Sequence, residues 1–226
     1  MTNSSDIAYI WAKKSRDTFK YLPLLEHLRD TQTVALYLWQ NTLPDGTRDF
    51  LQSETNAHAA EILTFLALIH DIGKASPAFQ DKKCCQNELD EFIKNGLFAA
   101  GLSYDTMTEA AIRACPHNLA GQALLEEYGI HSSVSCIVGG HHGMYGDSPR
   151  RNSNPNAFGK SDEWKSAQRY IFDFAVSESN FDITTQIPKT AQVILTGLLL
   201  PKKQAKAVSI SLCRHRQLQT AYSRVY

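Results

Sequence analysis

The 226-residue chain lacks the marks of several large classes. Its five cysteines, at positions 84, 85, 115, 136 and 213, are odd in number and form no C-x-x-C pair, which argues against a zinc ribbon and against a disulfide framework. They read as free thiols of a reducing compartment. The longest strongly apolar runs, Ile62 to Ile69 and Val193 to Leu200, fall far short of the roughly 20 residues that a membrane-spanning helix needs. Met1 to Arg16 is too polar for a secretory signal, so a cytoplasmic protein without membrane attachment is expected. No G-x-x-x-x-G-K-[ST] stretch occurs, so the chain carries no P-loop motor.

An excess of charge is also missing. The formal net charge is zero, which argues against a protein that coats nucleic acid indiscriminately but leaves room for a local basic groove. Acidic residues are absent from one end. All 23 precede position 183, whereas residues 201–226 hold six basic residues and no acidic one. That segment differs in character from the body.

What is present is helical patterning in a chain with 43% hydrophobic residues, enough for one sizeable core. Alternating Val/Ile/Thr segments bounded by tight turns are scarce. A helix is expected from about Pro23 to Trp39, with "LPDGT" a loop beyond it. A second, from about Glu54 to His70, is nearly all apolar in its latter half, as a central helix would be, and Gly73 suits its termination. "NELDEFIKNGL" and "NLAGQALLEEYG" read as further helices, as do Ser161 to Ser177 and Lys189 to Leu200. "SVSCIVGG" is apolar but of open type, and it runs into a Gly/Ser/Asn/Pro-rich loop. One all-α domain is the expected architecture.

The apolar second helix stops at His70 and Asp71, two groups that are costly to bury unpaired. Any single histidine among the eight has a plain reading as a satisfied core or surface residue. Together they are more informative. His27 lies beside an apolar stripe, His117 stands just before a helix, and "GGHHG" sets His141 and His142 among glycines that leave space near the backbone. Imidazole nitrogens with a carboxylate, and no thiolate, suit a borderline transition metal. A His-Asp doublet at a helix end lets the imidazole bind one ion while the carboxylate bridges two, roughly 3.5–4 Å apart.

In order along the chain, "PLLEHLRDT", "HDIGKASPAFQ", "CPHNLAG" and "GGHHG" resemble the HD nuclease domain of the CRISPR-associated type I effector nuclease-helicase, a branch of the HD phosphohydrolase superfamily. The resemblance spans about Tyr21 to Leu200, and "HDIGKASPAFQ" is its most specific part. It implies an all-α helical bundle around a histidine/aspartate metal site. It also implies that His27, His70 and Asp71 ligate a first metal, and that Asp71 bridges to a second held by His117, His141 and His142. Lys74 would lie beside the scissile phosphate, making Asp71 and Lys74 the catalytic pair. The cofactor would be one or two divalent transition ions, Mn, Fe, Ni or Co, with Mg an alternative.

The implied activity is metal-dependent cleavage of single-stranded DNA in CRISPR interference. The partners would be an RNA-guided surveillance complex and a helicase, either a separate subunit or a domain missing from this chain. Arg150, Arg151 and Lys160 are candidates to track a phosphate backbone and Tyr145 or Phe158 to stack on bases, against the plainer reading of an ordinary loop. The family closes its first metal site with an aspartate in a helix ending roughly "ADW". Here "AQVILTGLLL" starts that helix, Pro201 follows, and no aspartate comes after Asp182. The expectation is therefore an HD domain over residues 1–200 and a basic, non-homologous tail over 201–226, produced by truncation or a frameshift. Two alternatives stand beside the nuclease: a phosphohydrolase acting on nucleotides, and a catalytically impaired domain that serves as a binding module.

Overall fold

In the computed structural model, which describes residues 7–83, 87–143 and 155–181, the chain opens with an antiparallel hairpin. Trp11–Lys14 (β1) pairs with Tyr21–Pro23 (β2), with an irregularity between Trp11 and Lys13. The all-helical reading does not anticipate it, because strands of four and three residues are too short to register as alternation.

Leu24–Asn41 (α1) follows at once. The loop expected at "LPDGT" lasts only through Pro44, and Asp45–Glu54 forms α2. Asp45 lies in the first turn of α2, where the helix dipole favours negative charge. No residue of α2 is buried, so it leaves no apolar stripe to read. Asn56 and Ala57 take positive φ angles of 50° and 67°. That break starts the central helix, α3, at Ala59 instead of Glu54, and it runs to Ile69.

A 3-10 turn, Ile72–Lys74, leads to Pro77–Gln80 (α4), Asn87–Ala99 (α5), Glu109–Arg113 (α6) and His117–Glu127 (α7). The segment of open type is helical, Ser132–Gly139 (α8), and Pro155–Phe158 (α9) and Asp162–Ser179 (α10) follow. Ser161 caps α10 by accepting from the Trp164 amide, and Asn180 ends it in the left-handed conformation. The expected helix Lys189–Leu200, the tail 201–226, and Tyr145, Arg150 and Arg151 lie outside the described residues. Among the described residues no helix is long and apolar enough to cross a membrane, and Cys115 and Cys136 are free thiols.

The core forms where α3 packs between α1 and α10. Leu28, Phe65, Leu68, Ile69, Ile72 and Ile171 are fully buried there. Anchoring α3 this firmly fixes the position of His70 and Asp71 just past its end. Gly73 does not act as a left-handed helix stop, since its φ is not positive. Its role is contact: a Cβ there would collide with the His117 carbonyl oxygen and the Gly121 amide nitrogen. The turn and α7 thus meet backbone to backbone, which brings His117 to the doublet.

Candidate metal centre

Asp71 occupies the middle of the site, 4% exposed. Its Oδ2 stands 2.8 Å from His27 Nε2, 3.1 Å from His70 Nε2 and 2.7 Å from Lys74 Nζ. Its Oδ1 faces His117 Nε2 at 3.1 Å and His141 Nε2 at 3.4 Å. His142 Nε2 lies 2.9 Å from His117 Nε2. All six residues expected as ligands therefore come together from α1, the end of α3, the start of α7 and the turn after α8. They form two groups that share Asp71: His27, His70, Asp71 and Asp71, His117, His141, His142, with potential ligand atoms within 4.8 Å of one another in each.

The donor geometry fits a cation. His70 Nδ1 is 2.8 Å from the Ala67 carbonyl and His141 Nδ1 is 2.6 Å from that of Val138. A ring N–H donated to those carbonyls turns each Nε2 toward Asp71, the orientation typical of ligating histidines. Where that Nε2 carries a lone pair, the facing carboxylate oxygen calls for a positive charge between them. In keeping with this, Asp71 Oδ1 and His141 Nε2 are buried with no well-directed hydrogen bond.

Burial pushes the His27 imidazole down to about 4, against its hydrogen bond to the Asp71 carboxylate, which pulls it up. Burial together with the neighbouring His141 and His117 takes His142 to about 4 as well, and burial lowers His117. Burial on its own would raise Asp71, but His70 and the imidazoles of His117, His141 and His27 outweigh it and hold the carboxyl well below its usual range. Neutral histidines around an ionised carboxylate are the protonation states that bind metal.

Acid stability follows from His27. Its folded pKa of about 4 lies below the ordinary 6.5, so between these values the unfolded chain takes a proton that the folded one refuses. The metal-free protein should lose stability as pH falls from about 6.5 to 4, and Asp71 should add its own loss only further into acid. Thermal unfolding across that range checks this, and His27→Gln should flatten the upper part of the slope.

Lys74 joins the site: it is 7% exposed, with its ammonium on Asp71 Oδ2 and 3.3 Å from the Ala12 carbonyl. One sequence expectation needs correction. Phe158 is fully buried in a small cluster with Ala78, Cys115 and Ala120, so it cannot stack on a base, while Lys160 is exposed.

Residues 11–200 match the family model described as "Cas3, HD domain". The chain belongs to the Cas3 HD domain family. It is 34% identical over 218 residues to the CRISPR-associated nuclease/helicase Cas3 of Streptococcus thermophilus, covering 85% of this chain and 24% of that one. To the CRISPR-associated endonuclease/helicase Cas3 of Thermus thermophilus it is 26% identical over 172 residues, 73% of this chain and 18% of the relative. The chain thus spans a quarter or less of the length of these Cas3 relatives. Crystal structures of T. fusca Cas3 and of T. fusca Cas3-AMPPNP share the fold, with TM-scores of 0.57 and 0.58. They are 24% and 22% identical in sequence, covering 76% and 93% of this chain and 19% and 24% of theirs. The Cas3 HD family match also ends at residue 200, next to the acid-free segment.

Sequence reading missed two contributions. Gly73 was legible as a special residue but its close approach to α7 was not. Gln80 was quoted within "HDIGKASPAFQ" without a role, the unbroken length of that motif past Lys74 being the signal.

Proposed function

We propose that this chain is a metal-dependent nuclease domain that cleaves single-stranded DNA in CRISPR interference, working with a helicase. The observation that carries the reading is the placement of Asp71, with one oxygen turned to each of two histidine groups. His27, His70 and Asp71 would hold a first divalent ion, and Asp71, His117, His141 and His142 a second. The all-N,O donor set favours Mn, Fe, Ni or Co, with Mg as the harder alternative. When bound, such ions acidify water and withdraw charge from phosphate oxygens.

The chain's own residues supply the rest. The carbonyls of Ala67 and Val138 hold His70 and His141 in the ligating tautomer. Asp71, kept ionised, fixes the spacing of the two groups. Lys74 sets a positive charge at the Oδ2 edge of the carboxylate, suited to neutralise a non-bridging phosphate oxygen. Names of the relatives, nuclease/helicase and endonuclease/helicase, support the CRISPR nuclease role and the helicase partnership. Single-strand preference and engagement with an RNA-guided complex are part of the same proposal.

The test is cleavage of single-stranded DNA with added Mn²⁺, Ni²⁺, Co²⁺, Fe²⁺ or Mg²⁺, using the intact chain, His70→Ala and Asp71→Ala. Metal-dependent cutting that both substitutions abolish is the expected result. Cutting that survives both would refute it.

A second reading has its own observation: the first group has three donors, and the sequence offers no acidic residue after Asp182 to complete it. An HD domain whose first group lacks that carboxylate would act as a binding module. Absence of cutting in every metal, with rescue by an aspartate-bearing helix placed after Leu200, would favour it.

A further inference from the structure

The stretch Gly73 to Gln80 ends in a buried amide that the metal centre does not use. Gln80 is 3% exposed. Its Nε2 donates to the Trp11 carbonyl at 3.0 Å and the Lys74 carbonyl at 2.8 Å, and its Oε1 accepts from the Trp11 amide at 3.2 Å. The Gln80 carbonyl accepts from Trp11 Nε1 at 3.4 Å and from the Tyr104 hydroxyl at 3.3 Å. The side chain therefore staples strand β1 to the turn that carries Lys74.

The residue after Trp11 completes a circuit. The Ala12 carbonyl accepts from Lys74 Nζ at 3.3 Å, and that ammonium stands 2.7 Å from Asp71 Oδ2. Gln80 thus grips the backbone of Lys74 directly and, through β1, the carbonyl that receives its ammonium.

We propose that Gln80 is a positioning residue that sets the Lys74 ammonium on Asp71 Oδ2. The position demands two donors and one acceptor in a single planar group. Glutamate would turn an acceptor toward two carbonyls, and an apolar residue would leave the Trp11 amide, the Trp11 carbonyl and the Lys74 carbonyl without these partners. A cation held against Oδ2 opposes a second cation there, so the staple also tunes how the carboxylate receives metal. That last consequence rests on the metal-site reading above; the positioning itself does not.

Acetylation of the folded, metal-free chain, followed residue by residue by mass spectrometry, tests the positioning. Lys74 should react on the order of tenfold or more slowly than exposed Lys165. Gln80→Met should release Lys74 by a similar factor while Lys14, held by Asp90 and the Lys82 carbonyl, stays protected. Three results overturn the proposal: Lys74 in the unaltered chain reacting as fast as Lys165, Lys74 unchanged in Gln80→Met, or Lys14 released to the same extent. The first of these needs no variant to fold.

Mn²⁺ binding provides the coupling. Gln80→Met and Lys74→Met should each tighten Mn²⁺ binding, and the double variant should bind no tighter than Lys74→Met. An equal effect of Gln80→Met in both backgrounds contradicts action through Lys74. If the unaltered chain binds no Mn²⁺, the metal-centre reading fails and the acetylation pattern alone decides the positioning.

Discussion

Asp71→Asn should abolish Mn²⁺ binding by both histidine groups and lower metal-dependent cleavage by roughly a thousandfold, the several kcal/mol that contact with a Lewis acid supplies. The amide has nearly the same shape, so the loss is one of charge. The substitution has a second effect in the metal-free protein. Lys74 is buried with its ammonium on Asp71 Oδ2, and removing the negative partner leaves that charge uncompensated at about 3–5 kcal/mol. Adding Lys74→Met to Asp71→Asn should recover much of the stability, seen by urea unfolding, and none of the Mn²⁺ binding, seen by calorimetric titration. Recovery of binding in the double variant would mean that Asp71 is an electrostatic partner of Lys74 and not a ligand.

Gly73→Ala should damage one side of the centre more than the other. The added Cβ meets the His117 carbonyl and the Gly121 amide, both backbone, so no side-chain rotation relieves the contact. Overpacking of this kind costs about 1–3 kcal/mol or more, and here the start of α7 has to move away from the turn. Because His117 is the first residue of α7, the group of His117, His141 and His142 should lose about 10- to 100-fold in Mn²⁺ affinity, as displaced support of a metal site does. The His27 and His70 side, anchored by α1 and α3, should change less. Gly46→Ala, in the first turn of α2, is the control: a Cβ there meets nothing within 4 Å, so the substitution should leave both groups unchanged. Calorimetry of the two variants, each combined with His70→Ala or His141→Ala, separates the groups.

The central helix was legible because α3 is apolar on most faces, and that pattern leads straight to His70 and Asp71. The histidine constellation was legible as well, through the His-Asp doublet, "GGHHG" and the family resemblance that joined His27 and His117 to them. What stayed hidden depends on contacts across the fold. Helix α2 has no fully buried residue and so shows no core stripe, and the hairpin is too short to alternate. Gly73 looks like a helix stop until α7 is seen lying against it. The resemblance sets Lys74 at the site, but its anchor, the Ala12 carbonyl on a strand 62 residues away, appears only in the fold. Gln80 belongs to the same circuit, which no local window of sequence contains.

Asp71 is proposed as the carboxylate shared by two metal-binding groups. Crystals soaked in Mn²⁺ and measured by anomalous diffraction test this most directly. Anomalous peaks on both sides of Asp71, each within about 2.5 Å of one of its oxygens and of histidine Nε2 atoms, are the predicted result. Mn²⁺ bound by the chain with no peak in bonding distance of Asp71 would contradict it.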